Sequence, residues 1–259
     1  MVSRVYIVVS LSLVLLCGAC QSQVRAQPAQ GAEAERPVAF PFITIDRAAG
    51  EVRIEAEVID VQMPLEFFMV SRGGPDHESV VRTDARPSHI HAALLLLGLE
   101  PGSPVRYSEA ADRWLPPSGP PVQIFAEWEG QARIPATRLM KRIEGTATMP
   151  ARTWVFAGSR MLDEGDYAAD ITGQLVAIVN FDYSVLDVAG LVSNANETLE
   201  WEANKALLPE PGTAVTVVLK PVEAAAAGVD REAPAEAVPP ADKPLDVTLL
   251  TARADGSLT

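Results

Sequence analysis

The chain has 259 residues and carries 34 acidic against 21 basic side chains, a formal net charge of -13. Binding to a nucleic-acid backbone depends on a basic surface, so nucleic acid is not expected among the partners. The two cysteines, Cys17 and Cys20, both lie in the first twenty residues, and the rest of the chain has no thiol for a disulfide, a Cys-ligated zinc site or an iron–sulfur cluster.

Residues 1–19 are typical of an export signal. Arg4 precedes an apolar run from Val5 to Leu16, and small residues follow before Cys20. The run is shorter than the roughly 20 residues that a helix needs to cross a bilayer. The pattern predicts lipid attachment at Cys20 and a membrane-anchored lipoprotein that faces the periplasm or cell surface, although Cys17 stands where such signals usually carry leucine. The alternative is cleavage after Ala26, which would release a soluble periplasmic protein.

Both ends of the remaining chain have the composition of segments without a packed core. Residues 20–36 lack apolar periodicity and predict a flexible tether, and residues 223–259 are rich in alanine, proline and acid and predict a disordered tail. Within the tail, Leu245 to Leu250 could add as a strand to a partner's sheet. Residues 37–222 are long enough to form a single globular domain.

The domain mainly shows the period-two alternation of strands. Val52, Ile54 and Val58 alternate with charged residues, and the turn-like Asp46 to Gly50 precedes them, which predicts an opening hairpin. The predicted strands are Phe42 to Arg47, Glu51 to Ile59, Leu65 to Ser71, Ser79 to Arg82, Val122 to Glu127, Thr153 to Phe156, Leu175 to Val179 and Thr213 to Lys220. We expect the last two to be central, since they are rich in valine and leucine.

One helix is predicted at about residues 88–97, between Pro87-Ser88 and Gly98. It is apolar on most faces, so we expect it to be buried all round. A second helix is predicted from Asn194 to Leu208. The fold class is therefore α+β, a mainly antiparallel sheet with one short buried helix.

All three histidines fall within fifteen residues, which makes this segment the candidate site. His77 is followed by Glu78 and Ser79, and His89 and His91 lie at the start of the predicted helix. Positions two apart point about 200° away from each other around a helix, so only one of the helix histidines could join His77. Histidine and carboxylate side chains suit zinc or another divalent metal.

Several alternatives stand beside the metal hypothesis. The histidines could be core residues that bond to the backbone of the Arg72 to Pro75 loop. Ser79 could be a nucleophile, but the sequence has no Gly-x-Ser-x-Gly turn to support that role. The nearby arginines could hold an anionic ligand, although in an acidic protein such residues more often pair with carboxylates; they are Arg72, Arg82 and Arg86.

Several blocks of sequence occur in one order and resemble a known family. They are Asp76-His77-Glu78-Ser79, His91 to Gly102, Trp154-Val155-Phe156-Ala157-Gly158-Ser159, Asn180-Phe181, Leu186-Asp187 and Gly212 to Pro221. In this order they resemble the YdjY-like domain of exported bacterial, planctomycete-type envelope proteins, whose function is largely unknown. The resemblance spans roughly Val52 to Pro221. It implies that a ligand pocket, if present, would use His77, Glu78, Ser79 and His91, with Trp154 and Ser159 at its edge.

Two classes of function follow from these observations. The first is a lipid-anchored, non-catalytic binding or scaffold module, which would meet the membrane through its lipid and a protein partner of the cell envelope. The second is a metal-binding or small-ligand site, hydrolytic or not, built on His77, Glu78 and His91. We favour the first, since no complete catalytic set or cofactor motif is present in the sequence.

Overall fold

The structure is a computed structural model and describes residues 40–191 and 199–222. Its strands are β1 (Ile43–Asp46), β2 (Glu51–Val58), β3 (Phe67–Ser71), β4 (Ser79–Thr83), β5 (Arg106–Ser108), β6 (Arg113–Leu115), β7 (Pro121–Trp128), β8 (Gln131–Pro135), β9 (Met140–Arg142), β10 (Trp154–Phe156), β11 (Gln174–Ala177), β12 (Leu186–Val188), β13 (Trp201–Ala203) and β14 (Ala214–Pro221). Its helices are α1 (Pro87–Leu96) and α2 (Ala168–Thr172), and two 3₁₀ turns are Asp76–Glu78 and Ala136–Leu139.

The predicted signal, Cys20, the tether, the tail and the Leu245 to Leu250 strand all lie outside the described residues. Between residues 40 and 222, apart from the seven undescribed positions, no helix is long and apolar enough to cross a membrane.

Eight strands form a closed, barrel-like sheet. Their order is β2-β14-β7-β10-β12-β11-β3-β4, and β4 returns to pair with β2. Strand β1 extends the sheet beside β2, and β8 extends it beside β7. The pairings are antiparallel except for β3 with β4 and β11 with β12. The mainly antiparallel α+β class is confirmed, and closure leaves these eight strands without a free edge.

Alternation along each strand divides the barrel into an apolar inside and a charged outside. In β2, Val52 and Ile54 are fully buried, whereas Arg53 and Glu55 point outward. The hairpin of β1 and β2 is confirmed, and it turns at Gly50, whose φ of +66° favours glycine. The two strands predicted as central each lie between two neighbours: β14 between β2 and β7, and β11 between β12 and β3.

Helix α1 is confirmed, but its predicted burial on all sides is wrong. Ile90, Ala93 and Leu94 face the apolar core, while Leu95 is 45% exposed. The barrel fills its interior with its own strand residues, and α1 packs against β1, β2 and α2. Sheet and helix therefore cover one side of α1, and the opposite side is half-buried except at Leu95, which faces solvent.

A residue from α2 caps the start of α1. The Asp170 carboxylate accepts hydrogen bonds from the Ser88 N–H at 2.8 Å and the Ser88 hydroxyl at 2.7 Å, and it pairs with Arg86 at 2.8 Å. A carboxylate at a helix N-terminus satisfies free N–H groups and the positive end of the helix dipole. This bridge fixes α1 against a segment eighty residues later in the chain.

The predicted helix from Asn194 to Leu208 is wrong in the part that the structure describes. Trp201 to Ala203 is strand β13, which pairs antiparallel with β9. Trp201 and Ala203 are buried and Glu202 is not, which is the period of a strand. The turn that follows at residues 205–207 ends any helical continuation.

Two glycines allow the chain after α1 to lie directly on β10. The Gly102 N–H donates to the Phe156 carbonyl at 2.9 Å, and the backbone of Gly119 lies so close that an added Cβ would be 2.2 Å from the same oxygen. A side chain at Gly119 would have to displace backbone rather than a flexible side chain.

We expect Gly119→Ala to lower the free energy of unfolding by more than about 2 kcal/mol, because the new Cβ meets the Phe156 carbonyl. Gly130→Ala is the matched control: Gly130 also has a positive φ, of +77°, but nothing lies within 4 Å of its would-be Cβ. The control should lose roughly 1 kcal/mol, the penalty of a left-handed backbone alone. Equal losses in urea unfolding would show that the close approach contributes nothing.

Candidate functional site

The 3₁₀ turn Asp76–Glu78 exposes the side chain of His77, and the side chain of Ser79, directly after the turn, is buried. His77 is 71% exposed, and its Nε2 lies 3.5 Å from Glu78 Oε1. The Ser79 hydroxyl is buried and donates to the Pro75 carbonyl at 2.8 Å. The Ser79 hydroxyl proton is therefore already bonded to the backbone, which does not favour a role for Ser79 as a nucleophile.

Beside this turn lies a buried carboxyl group that the sequence analysis missed. Glu66 is 8% exposed, and its N–H donates to the Glu78 carbonyl at 3.0 Å, which places it next to Glu78. Burial first, then the hydrogen bond and charge of Glu78, raise the pKa of Glu66 to about 7. The protonated form of the Glu66 carboxyl group is therefore favoured below neutral pH. An isolated glutamate within the apolar segment Leu65 to Val70 was the available signal.

His91 is part of a hydrogen-bonded chain inside the fold. Its Nδ1 lies 2.9 Å from the Tyr167 hydroxyl, which donates to the Gly158 carbonyl at 2.9 Å. Because that hydroxyl proton is used on Gly158, the His91 Nδ1 is the donor to the tyrosine oxygen. Burial lowers the pKa of His91, which favours the neutral ring. The core-histidine alternative fits His91, but its partners are Tyr167 and Gly158 rather than the Arg72 to Pro75 loop.

The two edge residues predicted for a pocket also bond to the main chain. Trp154 lies inside the barrel, and its indole N–H donates to the Ala177 carbonyl at 2.7 Å. Ser159 has a left-handed backbone with φ of +55°, and its hydroxyl donates to the Tyr183 carbonyl at 2.6 Å. Both residues hold neighbouring strands and loops together.

The predicted residues therefore fall into two groups. Glu78 and His77 lie beside Glu66, whereas His91 and the Gly158 to Ser159 turn meet at Tyr167. Across residues 40–191 and 199–222, no three or more His, Cys, Asp or Glu side chains are grouped so that they could hold a metal ion. The metal hypothesis for His77, Glu78 and His91 stays a prediction.

The three arginines around this segment pair with carboxylates. Arg72 contacts Asp84 at 2.6 Å, Arg82 contacts Asp76 at 2.8 Å, and Arg86 contacts Asp170. Their charges are thus compensated within the fold, in agreement with the alternative that did not require an anionic ligand.

A second buried acid lies on the outside of β12. Asp187 is fully buried, and neither of its carboxylate oxygens has a hydrogen-bond partner of good geometry among the described residues. Burial raises the pKa of Asp187 well above its usual value, and the nearby Val105 N–H and Ser184 hydroxyl offset only part of this effect. Burial therefore favours the protonated, neutral form of the Asp187 carboxyl group.

A concave surface in the form of a trough runs along the outside of β14. Its floor is formed by Ala214 and Thr216, and its sides are formed by Glu55 and Glu57 from β2 and by Glu127 from β7. The trough has a volume of about 820 Å³, within the size range of ligand sites in proteins. We call it the β14 trough.

The described molecule is a closed, barrel-like β-sheet protein with one helix against it and a charged trough on its outer face. A sequence model of the YdjY domain matches residues 43–220, and the chain belongs to the YdjY-domain family. No curated protein and no solved structure matches the chain.

We expect the stability of the protein to fall as the pH rises from about 5 to about 7, in part because of Glu66. Its pKa is higher in the fold than in the unfolded chain, so in this interval the native state holds a proton that the unfolded state has lost. In urea unfolding, Glu66→Gln should reduce this loss of stability, and Glu100→Gln, at an exposed carboxylate, should not. An unchanged slope in Glu66→Gln would place the pKa of Glu66 near its ordinary value.

Proposed function

We propose that this chain is a lipid-anchored protein of the cell envelope that binds a partner and carries out no chemistry. The anchor is Cys20, which follows the charged, apolar and small-residue regions of an export signal. The run from Val5 to Leu16 is too short for a permanent helical span, so the lipid would supply the attachment.

The proposal of a non-catalytic function rests on the hydrogen bonds that the candidate side chains form within the fold. The hydroxyls of Ser79 and Ser159 and the indole of Trp154 donate to main-chain carbonyls, and His91 bonds to Tyr167. Nucleophilic or acid–base catalysis needs such groups directed at a reacting atom in a cleft. Their polar atoms are instead directed at the fold.

The observation that supports binding is the β14 trough. Its walls are charged side chains held by ion pairs, such as Arg82 with Glu57 and Arg53 with Glu127, and a partner would meet a surface that is already ordered. Less side-chain freedom is then lost on association.

Cys20→Ser is expected to move the protein from the membrane fraction to the soluble fraction and to abolish incorporation of labelled palmitate. The reason is that the thiol of Cys20 is the site of lipid attachment in this proposal. Ser22→Ala, two residues further on, is the control and should stay in the membrane. A wild-type chain that is soluble and begins at Gln27 by mass spectrometry would refute the anchor and support cleavage after Ala26.

A metal site remains the second candidate, favoured by the 3.5 Å approach of His77 Nε2 to Glu78 Oε1. Under the main proposal, protein purified without a histidine tag holds no stoichiometric metal. His77→Ala should leave the free energy of unfolding unchanged, because the ring is exposed. His91→Ala should lower it by about 1–3 kcal/mol, because the Tyr167 hydroxyl oxygen loses the donor that His91 supplies. Bound metal that is lost in both variants would favour the second candidate.

A further inference from the structure

The β14 trough owes its shape to a difference in side-chain length between neighbouring strands. Ala214 and Thr216 point outward from β14. Ala214 lies beside Glu57 of β2, and Thr216 lies between Glu55 of β2 and Glu127 of β7 in the register. Two strand spacings separate these glutamates, about 10 Å. Short residues between long charged ones leave a channel that follows the direction of the strand.

The carboxylates along this channel are not all neutralised. Arg72 and Arg82 bind Glu57, and Arg53 and Arg133 bind Glu127. The side chain of Glu55 stands between these pairs, is exposed, and forms no ion pair or hydrogen bond with the rest of the described chain.

The lining of the trough as a whole carries more negative than positive charge. It contains five carboxylates against three guanidinium groups, and Glu129 is a second carboxylate without an ion pair among the described residues. The trough is therefore complementary to a positive charge, while the paired arginines keep its sides in place.

An aromatic residue lines the trough together with Glu55. The Glu55 N–H donates to the Phe42 carbonyl at 2.9 Å, and Phe42 is 43% exposed. Trp128 also lines the trough. Aromatic faces pack against the aliphatic stems of lysine and arginine and attract their cationic ends.

We propose that the β14 trough binds an extended segment of a partner protein that carries lysine or arginine, with Glu55 receiving the cation. This inference rests on the proposed binding function and specifies the chemistry of the partner. A single exposed ion pair contributes little to affinity, so a free amine would be held only weakly. The open, strand-long channel instead allows a segment to place several contacts along β14.

The test is the affinity of the full chain from Cys20 to Thr259 for short peptides, measured by calorimetry at low ionic strength. The probes are a capped pentapeptide that alternates alanine with lysine, the same peptide with glutamine for lysine, and N-acetyl-lysine amide. We expect the lysine peptide to bind at least fivefold more tightly than the glutamine peptide. Glu55→Gln should remove this preference, and Glu100→Gln, outside the trough, should retain it.

Equal binding of the two peptides, or a preference that survives in Glu55→Gln, would overturn the proposal. Binding of N-acetyl-lysine amide as tightly as the peptide would assign the site to a free amine and overturn the partner segment. Circular dichroism of Glu55→Gln shows whether the variant is folded; if it is not, Glu129→Gln takes its place in the same comparison. The Cys20→Ser experiment does not depend on any of these results. If the trough does not bind the lysine peptide, the proposed membrane anchor is still tested separately.

Discussion

The structure depends on the two edges of β2. Along one edge β2 pairs with β14, and along the other it pairs first with β1 and then with β4, which closes the barrel. Main-chain atoms of Glu55 bridge the change of partner: its N–H bonds to the Phe42 carbonyl, and its carbonyl accepts the Thr83 hydroxyl at 2.6 Å. Glu55, the residue proposed to receive the cation, thus stands where the sheet closes.

Closure also explains where the charges lie. Since the inside is filled by apolar strand residues, each outward position of β2, β7 and β14 is available to a polar side chain. Individual surface ion pairs stabilise a protein little. The ion pairs of Glu51 are stronger than most, because its carboxylate is buried. Arg133 at 2.7 Å and Lys220 at 3.0 Å lower the pKa of this carboxylate to about 2. The ion pairs mainly order the walls of the trough.

Local sequence patterns predicted most of the strands and helix α1, whereas barrel closure and the partners of the site residues depend on contacts between distant parts of the chain. The opening hairpin and α1 follow from alternation, Gly50 and the Pro87 to Gly98 boundaries. Barrel closure was beyond the sequence, because the β2–β4 pair depends on how strands distant in the chain meet. The search for histidine ligands named His77 and His91 but missed Tyr167 and Glu66, since a hydroxyl partner and a buried acid become visible only when strands are placed side by side.

The residues that carry the family resemblance largely build the fold. Trp154 bonds to Ala177, His91 reaches Gly158 through Tyr167, and the Asn180 side chain bonds to the Val188 backbone in both directions, at 2.8 and 2.7 Å. The β14 strand that forms the trough floor lies in the last of the matching blocks. The charged walls at Glu55 and Glu127 lie outside them all. The matching blocks therefore contribute to the barrel and to the floor of the trough, whereas the ligand chemistry that we propose depends on wall residues that lie between those blocks.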